Sequence, residues 1–453
     1  MNSYIPITDN DKKEMLREIG INEVEELFKD IPEEIKLNRN LKLPPKKSEM
    51  DTKRYFKDLS AKNASDFLCF RGAGAYNHFI PAAVKHVITR SEFYTAYTPY
   101  QPEISQGTLQ TIFEYQTMIC ELTGMDASNA SVYDGATAAA EAAFMCADIT
   151  GRSKILVSST VNPETRKVLD TYCKAHGLEI VKLNYRDGIT DIEELKEKAN
   201  NDTAGVIIQS PNFFGCIEPC KDMFEFVHNS GGISVMSVNP ISMGILKTPG
   251  ELGADIAVGD GQPLGNPLSF GGPYVGFMAV KEKFVRKLPG RIVGQTVDLE
   301  GKRGFVLTLQ AREQHIRREK ASSNICSNQA LNALAVGVYL SSIGKKGLKQ
   351  IAEICAQKAR YMAEKISKLK GFSVVFSKSY FHEFVIKSEK PVNEINKILA
   401  DKGIIGGYEL EKDYPELKNC VLYCVTEMNS KEDIEKLVDS LKLTVDSKTT
   451  SLF

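Results

Sequence analysis

The chain has no long apolar run. Its most hydrophobic stretches, such as GVIIQ and ADIAVG, end at turn formers after a few residues. A helix that spans a bilayer needs roughly 20, so no membrane-crossing helix is expected. There is no excess of charge of either sign: 57 Lys and Arg stand against 58 Asp and Glu, a formal net charge of -1. That balance argues against a basic nucleic-acid surface and against a large acidic tail. Cysteine is sparse, 10 in 453 residues, and the two close pairs, Cys216/Cys220 and Cys420/Cys424, do not have zinc-ribbon spacing. Reduced thiols packed in a core are expected, and no metal site. The first residues, MNSYIPITDNDKKEMLREIG, are rich in acids and have no basic stretch leading into an apolar one. Neither a secretory nor a transit peptide is therefore expected, and the expected compartment is the cytoplasm. What remains, 42% hydrophobic and 25% charged residues, is the composition of a soluble globular protein. The length suits a large α/β core with one smaller domain.

Residues 1–60 are polar. Thr8-Asp9-Asn10-Asp11 is a cap signal before KKEMLREIG, and a second helical stretch, VEELFKDI, stops at Pro32. The segment is read as a helical arm. From 63 to 130 turn formers sit beside aromatics, as in FLCFRGAGAYNHFIP and EFYTAYTPYQPEISQG, which suggests buried or interfacial loops. A regular alternation follows. Helices are predicted over 135–150, 163–176, 191–199 and 219–229, and strands over 154–158, 179–183, 204–209, 233–238, 254–258 and 274–280. Apolar strands alternating with amphipathic helices predict a mainly parallel sheet covered by helices. A long helix over 326–343 bridges to a smaller C-terminal α+β domain, with helices 349–368, 391–402 and 430–441 and strands 372–376, 382–387 and 420–425. The expected domains are thus 1–60, 61–325 and 326–453.

Several motifs bear on function. Tyr133-Asp134-Gly135-Ala136-Thr137-Ala138 carries a loop into an Ala-rich helix. Its first-turn amides suit an anion such as a cofactor phosphate, while Asp134 equally suits an N-cap of a helix packed closely on the sheet. The segments Gln209 to Gly215 and Ser237-Val238-Asn239-Pro240 follow predicted strands, where α/β enzymes place their ligands. His78, in AYNHF, is a catalytic candidate or a hydrogen-bonded loop histidine. Arg312 and His315, in QAREQHIRREKA, suit a solvated face or a subunit contact, and Asp255 an ordinary place at the start of a strand.

The order of these pieces resembles that of fold type I pyridoxal-phosphate enzymes. More narrowly, GAGAYNHFIP, YTAYTPYQPEISQGTLQTIFEYQTMICELTGMD, SVYDGATAAAEA and GQPLGNPLSFGGPYVGFMA resemble the glycine decarboxylase P-protein family, in the α-subunit form that matches the N-terminal half of the single-chain form. The resemblance covers nearly the whole chain. It implies an α/β chain of the pyridoxal-phosphate-dependent transferase fold. It also implies a part in glycine decarboxylation, with the aminomethyl group passing to the lipoyl arm of the H-protein.

An active member of that fold needs a lysine to form an imine with the cofactor aldehyde. Between Lys247 and Lys281 there is none. By the resemblance, Gln262 stands where the catalytic half has an HK pair ahead of the position of Pro267, and Asn239 stands where an acid would hold the pyridine nitrogen. Gly135, Ala136, Thr137, Asn239 and Gln262 then form a degenerate cofactor site. The pyridoxal phosphate is expected on a homologous lysine-bearing partner, subunit 2, in a heterotetramer. Candidate contributors to the partner's site are Arg71, Tyr76, Asn77, His78, Tyr94, Tyr97, Tyr100 and Gln101. Two rival readings stand beside this one: an independent pyridoxal-phosphate enzyme using Lys247 or Lys281, and a non-catalytic scaffold of the same complex.

Overall fold

The computed structural model describes residues 6–63, 65–93, 98–321 and 323–446. They fall into two units, 1–65 and 66–453. In the first, helix α1 (Asp9–Ile19) starts at Thr8, whose hydroxyl accepts from the Asp11 amide while Asp11 accepts from the Thr8 amide, the reciprocal capping box. It stops at Gly20 with φ +82°. The VEELFKDI stretch yields only a short 3-10 turn, Val24–Phe28. A second helix, α2 (Glu49–Ser60), is capped by Ser48. None of these three segments has a buried residue.

The second unit is built on a seven-stranded sheet. Its strands are β1 (Ala127–Ser128), β2 (Lys154–Ser158), β3 (Glu179–Leu183), β4 (Thr203–Gln209), β5 (Ile233–Val238), β6 (Ile256–Asp260) and β7 (Gly276–Val280), in the order β1-β7-β6-β5-β4-β2-β3. The run from β6 to β3 is parallel, as the alternation predicts, while β7 is antiparallel to both β6 and β1. Alternate residues serve two cores. Leu156, Val206, Ile208 and Met236 enter one, and Ile155, Val157, Ile207 and Val235 the other. Burial on both faces explains why TAGVIIQ is buried from Thr203 to Ile208. Each buried Val, Ile or Leu contributes roughly 1.5–3 kcal/mol.

Helices flank the sheet. In chain order they are α3 (Ala82–Ile88), α4 (Gln106–Thr123), α5 (Gly135–Thr150), α6 (Pro163–Ala175), α7 (Ile192–Lys198) and α8 (Cys220–Asn229). Helix α4 lies inside the segment read above as loops. Its buried Leu109, Ile112, Tyr115, Gln116, Ile119 and Thr123 fall at helical spacing, a pattern masked by the turn formers just ahead of it. An antiparallel ribbon, β8 (Ile292–Val297) with β9 (Arg303–Thr308), is likewise absent from the sequence reading. The predicted stretches 326–343 and 349–368 join as one element, α9 (Ala330–Ser367), broken in direction at Gly344 with φ 59° and ψ 178°.

A second, antiparallel sheet has the order β10 (Phe372–Val374), β11 (Glu383–Ser388), β13 (Cys420–Cys424), β12 (Tyr408–Glu409). Its core also takes Ala359, Met362 and Ile366 of α9, Ile395 and Leu399 of α10 (Val392–Asp401), and Leu437 and Leu441 of α11 (Lys431–Asp446). No helix among the described residues is long and apolar enough to cross a membrane.

Two contacts on β11 tie the sheets together. The turn after β4 meets it at Gly215: φ is +82°, and a Cβ there would lie 1.9 Å from the Glu383 carbonyl oxygen. The loop 72–76 meets it through the Glu383 carboxyl, which accepts from the Ala73 amide at 2.7 Å and from the Tyr76 hydroxyl at 2.8 Å.

Gly215→Ala should therefore lower the unfolding free energy by about 2–3 kcal/mol, through overpacking as well as backbone strain. Gly177→Ala, at φ +68° but in open space, should cost only about 1 kcal/mol. Equal losses in urea denaturation would show that β11 can move aside. A second expectation concerns pH. Burial raises the Glu383 carboxyl from 4.5 to about 7, so the fold holds its proton more tightly than the unfolded chain does. That stabilisation is complete below pH 4.5 and is lost as pH rises through about 7. Across that window the Tm of the parent chain should fall relative to Glu383→Gln. A constant difference would refute the assignment.

Candidate functional site

A cleft of about 470 Å³ opens at the carboxyl ends of β4, β5 and β6. Gln209 ends β4, Ser237 and Val238 end β5, and Asp260 ends β6; the start of α5 supplies Asp134, Gly135 and Ala136, and the loop 72–76 the facing wall. This is where parallel α/β sheets bind ligands. Carboxyl groups from two elements meet at the α5 terminus. Asp134 is the N-cap, accepting from the Thr137 amide at 2.8 Å. Asp260 accepts from the Gly135 amide at 3.0 Å and from the Gln262 amide at 2.8 Å. Burial, with Asp134 close by, raises the Asp260 carboxyl to about 7 against those two donors. The cleft lining includes no lysine or arginine.

Of the residues expected at a degenerate cofactor site, Gly135 and Ala136 line the cleft, and Thr137 closes the capping box behind them. Asn239 also lines it. Its Oδ1 accepts from the Ile241 amide, and its Nδ2 lies 3.1 Å from His382 Nε2. Gln262 does not line it. The amide is 1% exposed, accepts from the Tyr76 N–H, and donates to the Tyr76 and Asn266 carbonyls. The wall beside it is Pro263, because the chain turns after Asp260 and sends Gln262 inward.

The candidates for a partner's site divide by exposure. Tyr76 and His78 are buried. His78 Nδ1 is 2.8 Å from Glu427 Oε2, with a side chain 1% exposed, so the loop histidine is a hydrogen-bonded one. Cys355 also reaches Glu427, at 3.4 Å. These three bring potential metal-ligand atoms within 4.8 Å of one another, but burial raises the Cys355 thiol far above its ordinary value. The Glu427 carboxylate is thus satisfied by hydrogen bonds from inside the fold. Arg71, Asn77, Tyr100 and Gln101 are exposed. Tyr94 and Tyr97 lie outside the described residues.

Tyr100 is held from beneath. Buried Arg291 pairs with Glu313, approaches His315 Nδ1 at 3.2 Å, and donates to the Tyr100 hydroxyl at 3.1 Å, with its guanidinium 5.0 Å from the ring centroid. Arg312 is not on a solvated face: it is half-buried and donates to the Leu288 and Gly290 carbonyls. Asp255 is more than a residue at the start of a strand. It accepts from the Ser234 amide and meets His228, Lys281 and Lys283. Those partners hold its carboxyl at about 2 against the effect of burial. Asp260, Pro263, His382, Arg291 and Glu427 were missed in the sequence. An acid at the carboxyl end of a strand opposite a helix start was the available signal for Asp260.

The fold class implies pyridoxal phosphate in such a cleft. The residues present do not fit it. No amine lines the cleft, and neither Lys247 nor Lys281 reaches it; Lys281 is committed to Asp255 and to the Gly253 carbonyl. Asn239 offers no negative charge, and the Gly135 and Thr137 amides, two of those suited to a phosphate, already meet carboxyl oxygens.

Comparison with known proteins agrees with this geometry. A family model described as the glycine cleavage system P-protein matches residues 2–441. The probable glycine dehydrogenase (decarboxylating) subunit 1 of Desulfitobacterium hafniense is 56% identical over 438 residues, covering 96% of this chain and 98% of its own. That of Anoxybacillus flavithermus is 55% identical over 443 residues, covering 97% and 99%. A crystal structure of glycine decarboxylase (P-protein) of the glycine cleavage system, in inhibitor-bound form, has a TM-score of 0.90 at 42% identity, covering 98% of this chain and all of that one. A sphingosine-1-phosphate lyase from Burkholderia pseudomallei, at 11% identity and a TM-score of 0.66 over 90% of this chain and 92% of its own, shares the fold alone. That fold is the pyridoxal-phosphate-dependent type I fold expected above. With a family match over nearly the whole length and relatives more than half identical end to end, the chain belongs to the glycine cleavage system P-protein family.

Proposed function

We propose that this chain is subunit 1 of a two-chain glycine dehydrogenase (decarboxylating) of the cytoplasm, and that it works by completing the active site of a homologous lysine-bearing subunit. The observation that carries the reading is the cleft wall. Gln262, which by resemblance holds the place of the lysine, is turned away from the cleft, Pro263 and Asp260 form the wall there, and no lysine lines the space. The relatives matched over 96–97% of this chain bear the name subunit 1, which fits a division of labour between two chains.

In this proposal pyridoxal phosphate resides on the partner and supplies the electron sink for loss of carbon dioxide from glycine. The aminomethyl group then passes to the oxidised lipoyl arm of the H-protein. This chain's part is to bind and to position. Tyr100 presents a hydroxyl and a ring at the surface, both fixed by Arg291, whose charge Glu313 balances. Asn77 and Gln101 add exposed amides. Preorganised groups of this kind orient a substrate and exclude water at little entropic cost. A scaffold that never touches the chemistry is the rival, and partner activity measured with and without this chain separates the two.

Co-expression with the lysine-bearing homologue should give one heteromeric species on size analysis, active in glycine–bicarbonate exchange. Neither chain should be active alone. The isolated chain, given pyridoxal phosphate and borohydride, should yield no adduct on any lysine between 240 and 285. Such an adduct, or separate elution of the two chains at micromolar concentration, sinks the subunit reading.

Within the assembled complex, Tyr100→Phe or Gln101→Ala should lower exchange by roughly 10- to 1000-fold while leaving assembly and cofactor content intact. His78→Ala should behave differently. It leaves Glu427 without its buried partner, so Tm falls by an amount equivalent to about 3 kcal/mol. Parental activity in both surface variants would favour the scaffold.

A further inference from the structure

The α5 terminus combines two features that exclude each other in a phosphate site. It keeps the architecture of an anion cradle: a 16-residue helix starts at a loop, its first turn facing a cleft at the carboxyl end of a parallel sheet. Two of its donors, however, are spoken for. The Gly135 amide meets Asp260 at 3.0 Å and the Thr137 amide meets Asp134 at 2.8 Å. The fit between helix and strand is close, since a Cβ on Gly135 would lie 2.9 Å from the Asp260 nitrogen and 3.1 Å from its Cβ. Glycine is the residue that lets the carboxyl reach the helix dipole. Asp260 is fixed from its other side as well, by the Gln262 amide at 2.8 Å. An arriving phosphate would face two carboxyl groups and, along the lining, no cation.

We infer that the Asp260 carboxyl occupies the place where a phosphate would bind, that it closes this cleft to phosphate esters by taking the Gly135 amide, and that a small neutral residue at 260 opens an anion site at the start of α5. The inference rests on the reading of this chain as the subunit without the cofactor. It names the physical device that keeps the cofactor out, separate from the missing lysine. An amine is needed only for the covalent bond. A cradle with all its amides free would still retain the phosphate group, whereas here the Gly135 and Thr137 amides are taken and only that of Ala136 is left between two carboxyl groups.

The test is anion binding by the purified full chain, followed by calorimetry and by equilibrium dialysis with inorganic phosphate and with pyridoxal phosphate. The parent chain should show no saturable binding of either up to about 10 mM, whereas Asp260→Ser should bind at least about ten-fold more tightly. Asp260→Asn removes the charge and keeps one of the two acceptor oxygens, so one of the Gly135 and Gln262 amides loses its partner, and the gain should be smaller but measurable. Circular dichroism and Tm establish that each variant is folded. If Asp260→Ser does not fold, Asp260→Asn decides by the same criterion. Saturable millimolar or tighter binding by the parent chain overturns the inference, as does a folded variant that binds no better than the parent. Binding is read on this chain alone, so such a failure leaves heteromer assembly and exchange activity as they are. Failure of the subunit reading would in turn leave the phosphate result standing.

Discussion

The close approach of α5 to the seven-stranded sheet is the constraint on which the cleft depends. A helix can lie this near to strands only where side chains are small, and the buried face of α5 meets that condition with Ala138, Ala139, Ala140, Ala142 and Ala143. The strands reciprocate. A Cβ on Gly205 would sit 2.7 Å from Cys146 Sγ, and one on Gly276 would sit 2.2 Å from the Asp134 carbonyl oxygen. Packing at this density fixes the helix axis to within a fraction of an ångström, and with it the direction in which the first-turn amides point. The electrostatics of the cleft follow from that geometry. The helix terminus carries partial positive charge, and two carboxyl groups answer it, Asp134 as the N-cap and Asp260 from the end of β6.

The same logic explains the residue at 262. A glutamine amide donates and accepts at once, and here it does both with a single residue, taking the Tyr76 N–H and giving to the Tyr76 carbonyl, each at 2.9 Å. An ammonium group has donors only and cannot answer that N–H. Gln262 thus joins the loop 72–76 to the end of β6, while Glu383 joins it to the second sheet. A position tied by resemblance to bond formation with a cofactor serves here as a structural clamp. The His78–Glu427 pair acts alike a few residues on, with the carboxylate also accepting from the Phe79 amide at 2.8 Å. The glycine-rich loop is therefore rigid for reasons internal to the chain, and the exposed Asn77 and Phe79 are carried on a fixed frame.

What could be read from the sequence follows the strength of its periodic signals. The helix at 135–150 and the strands at 154–158 and 179–183 are found at their expected bounds, because short apolar strand segments alternate there with helical stretches of a different period. Helix α4 escaped because Gly, Pro and Tyr ahead of it set the local composition. The ribbon of β8 and β9 escaped because half of its residues face away from any core and carry no apolar signature; Gln295, Thr296 and Val297 are all exposed. Site residues fared by a different rule. Gly135, Ala136 and Asn239 were legible as turn chemistry next to predicted elements. Asp260 was not, since the strand was expected to end at 258 and an acid two residues later looked like loop. His78 and Tyr76 were legible as polar or aromatic residues among turns, but their burial depends on Glu427 and Glu383, more than 300 positions away, and no local pattern encodes such a pairing.

The rim of the cleft carries an apolar side chain on a strained turn. Gly271 and Tyr274 line the cleft, and next to them Phe270 is fully exposed. The backbone from Ser269 to Gly272 runs through positive φ at 44°, 56°, 114° and 129°. A left-handed serine and phenylalanine are costly, and such conformations persist where a function or an interface holds them. A fully exposed phenyl ring on a strained turn has no stabilising role within the chain, since it buries nothing. Covered by a second subunit, the ring would gain the burial it lacks here, and the turn would become part of a wall shared by two chains. The two surface features then complement each other. Phe270 supplies apolar contact at the mouth of a cleft that holds no amine, and Tyr100 supplies a hydroxyl braced by a buried, charge-balanced arginine. Burying a guanidinium is costly unless it is paired, and Glu313 supplies that pair while a further Arg291 N–H reaches the surface Tyr100 hydroxyl.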